Sequence, residues 1–490
     1  MHQPLRFAFL LSALLGAVPD AAGFFANGSW PATAVDGPTP ASGVPITLTW
    51  SIVADGVPIP SLGPSPGRAN NLAAVFDGLI GGSGVPDVVD KPWFALIEDS
   101  FDRWAELSGV TLLYEPNDDG QPLGAAPGVP GVRGDIRLAG ASIDGVGTAL
   151  GQSGYLPDGD ITLDTSEAAY FGDPTDDYLR FRHTLMHEIG HSLGLGHTES
   201  FNALVLMSPT ASTAFDGPQF DDLRGAHQLY GDAYEKQAAA GNNAPGSATP
   251  LGALAIGGSL QIGGDVPASS APIGPQQTDF VSITNQSDED YFAFTIAEPA
   301  SVDLTLTPVG RTYSERSNPS DLYTTVNSAR QSDLSLQLYR AAGGTPVLLA
   351  TAAAAGLGVA ESLLGVELSL PGEYLVRVAG GADSVQFYSL AIAAEAVVID
   401  PPTLVGDFNQ DGLVDAADYS VWRDLLGTST PLANAPDSPG IVDQADYQSW
   451  RTAFGGRLEA AGVTPVPEPA SVTFCIVVAA LTYVRRTAWL

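Results

Sequence analysis

Three histidines at fixed spacing constrain this chain more than any other feature. The stretch HEIGHSLGLGH places His187 and His191 four residues apart and His197 six residues later. The surrounding run, residues 174–194, has apolar residues at the spacing typical of a helix. Because residues i and i+4 of a helix lie almost above one another, the first two imidazoles can face the same point.

The helix must end for the third histidine to join the first two. Gly194 can adopt the positive φ that stops a helix, and the chain can then return through Leu195 and Gly196 to deliver His197. Three neutral imidazoles are suitable zinc ligands and leave a fourth position for water. Glu188 lies about 100° round the helix from the first histidine. The pattern predicts one catalytic zinc ion, with Glu188 as the general base for a water that attacks a peptide carbonyl.

The complete pattern HExxHxxGxxH, followed by Met207 in VLMSP, is the metzincin signature. The stretches HTLMHEIGHSLGLGHT, LVLMSPT and FDDLRGAHQLYG (220–231) resemble the active-site helix, Met-turn and closing helix of the matrixins, the family of the matrix metalloproteinases. Trp50 and a helix over 93–109 fit the start of that family. The resemblance covers residues 44–232. It implies an α+β domain with a twisted mixed sheet and long helices, zinc-dependent cleavage of protein or peptide substrates, and Met207 as a hydrophobic floor below the metal.

One stretch departs from the family pattern. GDITLDTSE resembles the metal-binding segment of matrixins, but Thr162 stands where the family has a histidine ligand of a structural zinc. A second zinc is therefore not expected. Asp160, Asp164 and Glu167 match calcium-ligand positions, and the resemblance leaves open a structural calcium there.

Two other histidines are predicted to be structural. His183 lies one turn before His187, but three zinc ligands are already present, so we expect His183 to be a packed neighbour. His227 lies in the closing helix and is predicted to have a structural role.

Length and charge bound the possibilities further. A chain of 490 residues predicts two to four domains. With 20 Lys and Arg against 55 Asp and Glu, the formal charge of −35 argues against nucleic acid and anionic membrane surfaces as partners. The one cysteine, Cys475, allows no intrachain disulfide, so bound calcium could supply cross-links instead. Its position in the C-terminal tail also argues against the cysteine-based latency of matrixins.

Both ends are predicted to be targeting segments. Residues 1–23 have a basic residue, an apolar run and small residues, the layout of a signal peptide, although a buried first helix is the alternative. Residues 465–490 combine VPEP, an apolar run over 472–484 and two arginines. They resemble a PEP-CTERM sorting signal, which implies an exosortase-type sorting enzyme and a short, temporary transmembrane helix. A plain membrane anchor is the alternative, and either places the protein outside the cell, with membrane contact only through this tail.

Between these ends the composition changes twice. Residues 24–43 are predicted to be a flexible leader and residues 233–254 a linker. From 255 to 396, alternating segments such as VDLTLT and EYLVRV predict an all-β sandwich. DYF (290–292) and PGEY (371–374) resemble the accessory pre-peptidase C-terminal domains of secreted peptidases.

A calcium-binding repeat is predicted over residues 403–457. Oxygen ligands at alternate positions of GDFNQDGLVDAAD wrap a hard cation, and a glycine makes the sharp turn. The predicted ligands are Asp407, Asn409, Asp411, the Leu413 carbonyl, Asp415 and Asp418. A second copy has lost ligands, with Ala435 at position 1 and Pro439 at position 5. The pair resembles a type I dockerin, a small α-helical EF-hand-like module that implies a cohesin-like partner, although calcium binding alone does not require one.

The sequence thus predicts a multidomain, secreted zinc metalloendopeptidase with structural calcium. The rival interpretation is a non-catalytic, calcium-dependent surface or matrix-binding protein whose zinc site is a relic or a structural clip. A third is an enzyme that acts mainly on itself or on co-exported proteins. Glu188 favours catalysis, since a relic site has no need of a general base.

Overall fold

The computed structural model describes residues 24–39, 42–60, 68–124, 127–237, 241–267, 271–341, 343–397, 404–435 and 440–458. The chain forms two compact units, residues 1–397 and 398–490. The predicted signal peptide and the sorting tail with its transmembrane helix lie outside the described residues. None of the helices in the described ranges is long and apolar enough to cross a membrane.

The N-terminal segment packs onto the first unit. It carries a short antiparallel ribbon of β1 (Ala32–Thr33) and β2 (Gly37–Pro38). Trp30 is 2% exposed, and its Nε1–H donates to the Ser192 carbonyl at 2.8 Å. The prediction of a flexible leader over 24–43 is therefore wrong for its described residues, because a buried indole with a satisfied N–H anchors them.

A five-stranded sheet forms the centre of the histidine-bearing region. Its strands are β3 (Ile46–Ile52), β4 (Val110–Tyr114), β5 (Ile136–Ala141), β6 (Gly151–Ser153) and β7 (Ile161–Asp164). The order is β4-β3-β5-β7-β6, with the first four parallel and β6 antiparallel on one edge. Apolar and polar residues alternate along β3, and β5 and β7 are buried along their whole length.

Five helices belong to this region. They are α1 (Leu72–Leu79), α2 (Pro92–Leu107), α3 (Ala168–Phe171), α4 (Leu179–Ser192) and α5 (Phe220–Tyr230). The prediction placed the start of α4 at residue 174, but Asp176, Asp177 and Tyr178 have positive φ and delay it. Helix α5 ends at Gly231, whose φ of 73° suits glycine.

Helix α2 joins the sheet to α4. Its apolar residues recur at helical spacing and are buried, and Phe101 stacks on Trp50 of β3 with ring centroids 4.4 Å apart. On the other side, Trp104 Nε1–H donates to the Met186 carbonyl at 2.9 Å. This bond ties α2 to α4 at the residue just before His187.

The rest of the first unit is a β-sandwich of two five-stranded sheets. The strands are β9 (Thr249–Ala253), β10 (Ser259–Ile262), β11 (Val281–Ile283), β12 (Glu289–Ile296), β13 (Ala300–Pro308), β16 (Leu334–Arg340), β17 (Val347–Ala352), β18 (Glu361–Leu368), β19 (Gly372–Gly380) and β20 (Gln386–Ala396). One sheet has the order β10-β20-β13-β18, with β11 also paired to β20, and the other has the order β17-β16-β19-β12-β9. Inward-facing Val, Leu, Ile and Phe side chains of both sheets form its core.

Two features join the sandwich to the histidine-bearing region. A hairpin of β14 (Thr312–Arg316) and β15 (Thr324–Asn327) leaves the sandwich and pairs with β8 (Glu199–Ser200). Residues 233–254, predicted to be a linker, instead contain a 3-10 turn over Ala233–Gln237 and strand β9. The linker prediction is corrected because buried carboxylates and strand pairing fix its described part.

Residues 404–435 and 440–458 of the second unit contain two similar helices. Helices α6 (Ala416–Leu425) and α7 (Gln444–Ala453) each begin with an aspartate capping box. Trp422 Nε1–H donates to the Asp443 carbonyl at 2.7 Å, and Trp450 Nε1–H donates to the Asp415 carbonyl at 2.8 Å. Each repeat therefore holds the start of the other's helix.

Candidate metal centre

The three predicted histidines converge on one point. His187 and His191 project from α4, and His197 returns from the loop after it. The His197 Nε2 lies 3.2 Å from the His187 Nε2 and 3.1 Å from the His191 Nε2. Tetrahedral zinc with Zn–N distances of about 2.0–2.1 Å requires nitrogens roughly 3.3 Å apart. The donor set and its spacing therefore fit zinc.

Backbone carbonyls orient two of the rings. His187 Nδ1 lies 2.7 Å from the Leu206 carbonyl, and His191 Nδ1 lies 2.8 Å from the Leu195 carbonyl. Because a carbonyl only accepts, each Nδ1 carries the proton in the neutral ring and each Nε2 keeps its lone pair. Burial lowers the pKa of His187 to about 3 and of His191 to about 4, so both are neutral at pH 7.

Glycine makes the return of the third histidine possible. Gly194 has φ of +97°, and a Cβ there would lie 2.1 Å from the carbonyl oxygen of Gly28. The N-terminal segment continues along the same loop, where Asn27 N–H donates to Gly194 O and Gly196 N–H donates to Phe25 O, both at 2.7 Å. The loop that carries His197 thus has a second backbone on its outer side.

Glu188 lies in the same cavity as the histidines, beside β6. It is 5% exposed, and burial raises the pKa of its carboxyl to about 7. Ser153 Oγ–H lies 2.8 Å from the Glu188 carbonyl and 3.2 Å from its Oε2. A Cβ at Gly151 would lie 2.9 Å from Glu188 Oε1, so glycine leaves room for the carboxyl. Neither contribution from β6 was predicted from the sequence.

Met207 packs against α4 at Gly190, and its turn is held by α5. A Cβ at Gly190 would lie 2.3 Å from the Met207 sulfur, so the turn packs directly against α4. The Leu206 and Met207 N–H groups donate to Asp222 at 2.7 and 3.0 Å. Asp222, which was not singled out from the sequence, thereby positions the carbonyl that orients His187.

The cavity that contains these side chains has a volume of about 820 Å³. Strand β6, at the edge of its sheet, and Tyr155 line one side. Ser208 to Ala211 and three residues of the β14–β15 hairpin, Ser317, Asn318 and Pro319, line other parts. The sandwich region therefore contributes to the cleft beside the histidines, through a contact that the sequence did not predict.

The two histidines predicted to be structural have different surroundings. His183 is 2% exposed and also lines the cleft, with its ring 5.1 Å from Phe215. His227 is fully buried, with Nδ1 2.8 Å from Ser282 Oγ and Nε2 2.8 Å from the Leu107 carbonyl. Both lie outside the converging group of His187, His191 and His197.

Of the predicted calcium ligands of the 159–167 stretch, Asp164 and Glu167 accept N–H groups of one loop, from Asp144 and Gly147, and Asp160 lies at the other end of β7. Asp160 precedes β7 and accepts the Gly124 and Arg137 N–H groups at 2.8 and 2.9 Å. Asp164 ends the strand, and four residues of strand span roughly 13 Å. Glu167 lies beyond Asp164 in a 3-10 turn and accepts the Gly147 N–H. Thr162, in place of the family's histidine, is buried within β7.

In the predicted calcium loop of the second unit, backbone N–H groups donate to the side chains of Asp407 and Asp418. Asp407 accepts the Asp411 and Gly412 N–H groups at 3.1 and 2.8 Å. Asp418 accepts the Asn409 N–H at 3.0 Å and the Asp415 N–H at 2.8 Å. Gly412 has φ of +84°, as the sharp turn requires. The first and last predicted ligands are thus brought to one loop.

Comparison with known proteins identifies part of this region. Residues 133–231 match the family model of the matrixins (Peptidase_M10). Matrix metalloproteinase-2 of Drosophila melanogaster is 30% identical over 143 residues, which are 28% of this chain and 18% of that protein. The chain therefore spans less than a fifth of that relative. It contains a matrixin-like domain that includes the histidines, Met207 and α5.

One solved structure is also similar. It is the pre-peptidase C-terminal domain of collagenase from Bacillus anthracis. The match covers 30% of this chain and 95% of the collagenase domain, at 11% sequence identity and a TM-score of 0.17. Because this TM-score is too low to support a shared fold, the β-sandwich is assigned from the pairing of its own strands.

Proposed function

We propose that this protein is a zinc-dependent endopeptidase that hydrolyses peptide bonds of protein substrates. The observation that carries the proposal is the convergence of three Nε2 atoms beside a buried glutamate in one open cleft. The matrixin-like region supports it, since the matched residues include all three histidines.

The residues of the chain have distinct tasks in this reaction. His187, His191 and His197 would hold the zinc ion, which would supply a Lewis acid for the peptide carbonyl and lower the pKa of a water molecule. Glu188 takes the proton of that water and passes it to the leaving amine. Its raised pKa, about 7, matches a group that must both accept and donate a proton.

The shape of the cleft fits an extended polypeptide. Strand β6 pairs with β7, lies at the edge of the described sheet and lines the cleft. A substrate segment added there would have its main chain held by hydrogen bonds, irrespective of its side chains. This arrangement suits cleavage within a chain.

The remaining sequence predictions complete the proposal. We place the enzyme outside the cell on the strength of the predicted signal peptide and sorting tail, and we propose calcium at the Asp407–Asp418 loop. The non-catalytic alternative gains no support from the site, because the Glu188 carboxyl faces the same cleft as the metal ligands.

The decisive test is Glu188→Gln in the full chain, with bound zinc and casein cleavage measured together. We expect one zinc in both proteins and chelator-sensitive cleavage in the wild type only. Glu106→Gln, on the outer face of α2 with its side chain 53% exposed, is the matched control and should cleave normally. Undiminished cleavage by Glu188→Gln would exclude the mechanism, and zinc without cleavage in the wild type would favour the binding-protein alternative.

A further inference from the structure

The β14–β15 hairpin of the sandwich region packs against the helix that follows the Met-turn. Its two strands belong to neither sheet of the sandwich. Tyr313 and Glu315 lie two residues apart on β14, so they share one face of the strand. Both are buried, with exposed fractions of 1% and 6%. Buried polar groups need hydrogen-bond partners, and the partner of both side chains lies on α5.

That partner is the carboxyl group of Asp221, the second residue of α5. The Tyr313 hydroxyl donates to Asp221 Oδ1. Arg224, three residues further along α5, donates through Nη1 to the same Oδ1 at 3.3 Å and to the Tyr313 oxygen at 2.8 Å. Asp221 and Arg224 are both buried, so these charge-assisted bonds form away from water, where they are strongest.

Glu315 supplies a second hydrogen bond to Asp221 because it carries a proton. Burial and then the negative charge of Asp221 raise the pKa of Glu315 to about 10. Asp221 forms the closer ion pair with Arg224, which favours its charged form. The two carboxyl groups are hydrogen-bonded to each other, and Asp221 Oδ2 and Glu315 Oε2 have no other donor within the described residues. The Glu315 proton therefore joins β14 to α5.

The next residue of α5 carries this contact toward the histidines. Asp222 accepts the Leu206 and Met207 N–H groups, and the Leu206 carbonyl lies 2.7 Å from His187 Nδ1. Because Asp221 and Asp222 are adjacent in the first turn of α5, a shift of one carboxyl group shifts the other. The hairpin is thus linked to the first histidine through the turn that orients its ring.

The hairpin also holds the chain that follows the third histidine. Strand β8 begins two residues after His197 and pairs with β14, where Ser200 lies opposite Glu315. The Phe201 N–H then donates to the Ser314 carbonyl at 2.9 Å. This pairing limits the movement of the loop that presents His197. The hairpin therefore supports the chain on both sides of the converging histidines.

We propose that Tyr313 and Glu315 are positioning residues for the metal centre, which hold the Met-turn and the His187 ring in place through Asp221. The inference rests on the zinc site of the proposed function. It adds that the sandwich region is part of the working enzyme through its hairpin, within the one compact unit of residues 1–397. Hydrogen bonds behind the ligands fix the orientation of the rings, and their loss commonly weakens metal binding by about 10- to 100-fold.

The test measures zinc affinity in the full chain, with cleavage as a second measurement. Wild type and Tyr313→Phe are titrated with Zn²⁺ at pH 7.5 in competition with a chromogenic chelator. We expect Tyr313→Phe to bind zinc about tenfold more weakly and to change the visible absorption spectrum of bound Co²⁺. We also expect the turnover number on a short peptide to fall while KM stays unchanged, because the hairpin contacts affect the metal and leave the peptide subsites in place.

Tyr374→Phe is the matched control for the loss of one buried hydroxyl. Tyr374 lies on sandwich strand β19 and donates to the Leu370 carbonyl at 2.7 Å, away from α5. It should lower the unfolding midpoint about as much as Tyr313→Phe while it keeps the zinc affinity and the Co²⁺ spectrum of the wild type. A purely structural role of Tyr313 would give the same result for both variants.

Two variants of Glu315 separate hydrogen bonding from packing. Glu315→Gln keeps a donor for Asp221 and should bind zinc as the wild type does, whereas Glu315→Leu should bind it more weakly. If Glu315→Leu does not fold, the comparison of Tyr313→Phe with Tyr374→Phe decides. Unchanged zinc affinity and an unchanged Co²⁺ spectrum in Tyr313→Phe, or equal weakening in Tyr374→Phe, would overturn the positioning role and leave the proposed peptidase intact. A wild type that binds no zinc would overturn both.

Discussion

The histidines of the cleft and the buried carboxylates Glu235, Asp288 and Asp290 respond to burial in opposite ways. Burial lowers the pKa of His187 and His191, so both rings are neutral and present free lone pairs. Burial and neighbouring carboxylates raise the pKa of Glu235 and Asp290, so both side chains favour the protonated form. The imidazoles are therefore neutral and able to bind a metal ion, whereas the buried carboxyl groups favour the protonated form.

The two groups of side chains also differ in how far apart in sequence their members lie. The three histidines and the carbonyls that orient them come from residues 187–206. The carboxylates come from a turn after α5 and from a strand more than 50 residues later. A local site can be specified by a motif, and a group between two layers depends on the packing of both.

The largest expected effect comes from removing one ligand of the local site. His191→Ala should lose bound zinc and all detectable casein cleavage, because two imidazoles leave the metal without its third protein ligand. Zinc per chain and cleavage rate are measured on the same sample.

His183→Gln is the matched control, since His183 lines the same cleft one turn away but stays outside the converging group. Zinc retention by His191→Ala together with its loss from His183→Gln would show that the ligand assignment is wrong.

The histidine-bearing helix α4 is also held by a distant contact, the hydrogen bond from Trp30 to the Ser192 carbonyl. Replacing Trp30 tests how much this contact contributes to stability. Trp30→Ala removes a buried indole and its bond to Ser192, at the end of α4. A buried Trp-to-Ala change costs about 3–5 kcal/mol of unfolding free energy. Chemical denaturation of the full chain checks this value.

Phe25→Ala, at a residue 41% exposed in the same segment, should cost much less. A loss of stability no larger for Trp30 than for Phe25 would restore the flexible-leader interpretation.

The limits of sequence reasoning follow the same division. Helix α4, the turn at Gly194, the return of His197 and the Met-turn follow one another in the chain, so spacing predicted the first three and the family signature predicted the Met-turn. Ser153, Asp222 and Trp30 act on the site from 35, 15 and 162 residues away, and no periodicity relates them to it. Alternation predicted the sandwich strands, but it could not show that β14 leaves the sandwich to pair with β8.

A third buried group gives the comparison a pH test without any metal. Burial lowers the pKa of His227 to about 4 from its usual 6.5, while its ring joins Ser282 to Leu107. A lowered histidine pKa contributes stability that is present above pH 6.5 and is lost as the pH falls toward 4. The loss is on the order of 3 kcal/mol.

Thermal unfolding between pH 7 and pH 4 should therefore show a smaller decline for His227→Gln than for the wild type. Parallel declines in the two proteins would mean that the His227 proton does not distinguish the folded from the unfolded state.

The smallest effect concerns the hairpin that links the two regions. Arg316 on β14 forms a 2.5 Å ion pair with Glu199, which lies two residues after His197. Ser317 to Pro319, the three residues that follow Arg316, line the cleft. Because this pair is partly exposed, Arg316→Gln should leave folding and the turnover number on a short peptide unchanged. It should raise KM a few-fold for casein, whose longer chain reaches Ser317 to Pro319.

Arg340→Gln, on sandwich strand β16, is the matched control for the loss of one arginine. An equal rise in KM for the short peptide would place the effect at the histidines, and no rise for either substrate would separate the hairpin from substrate binding.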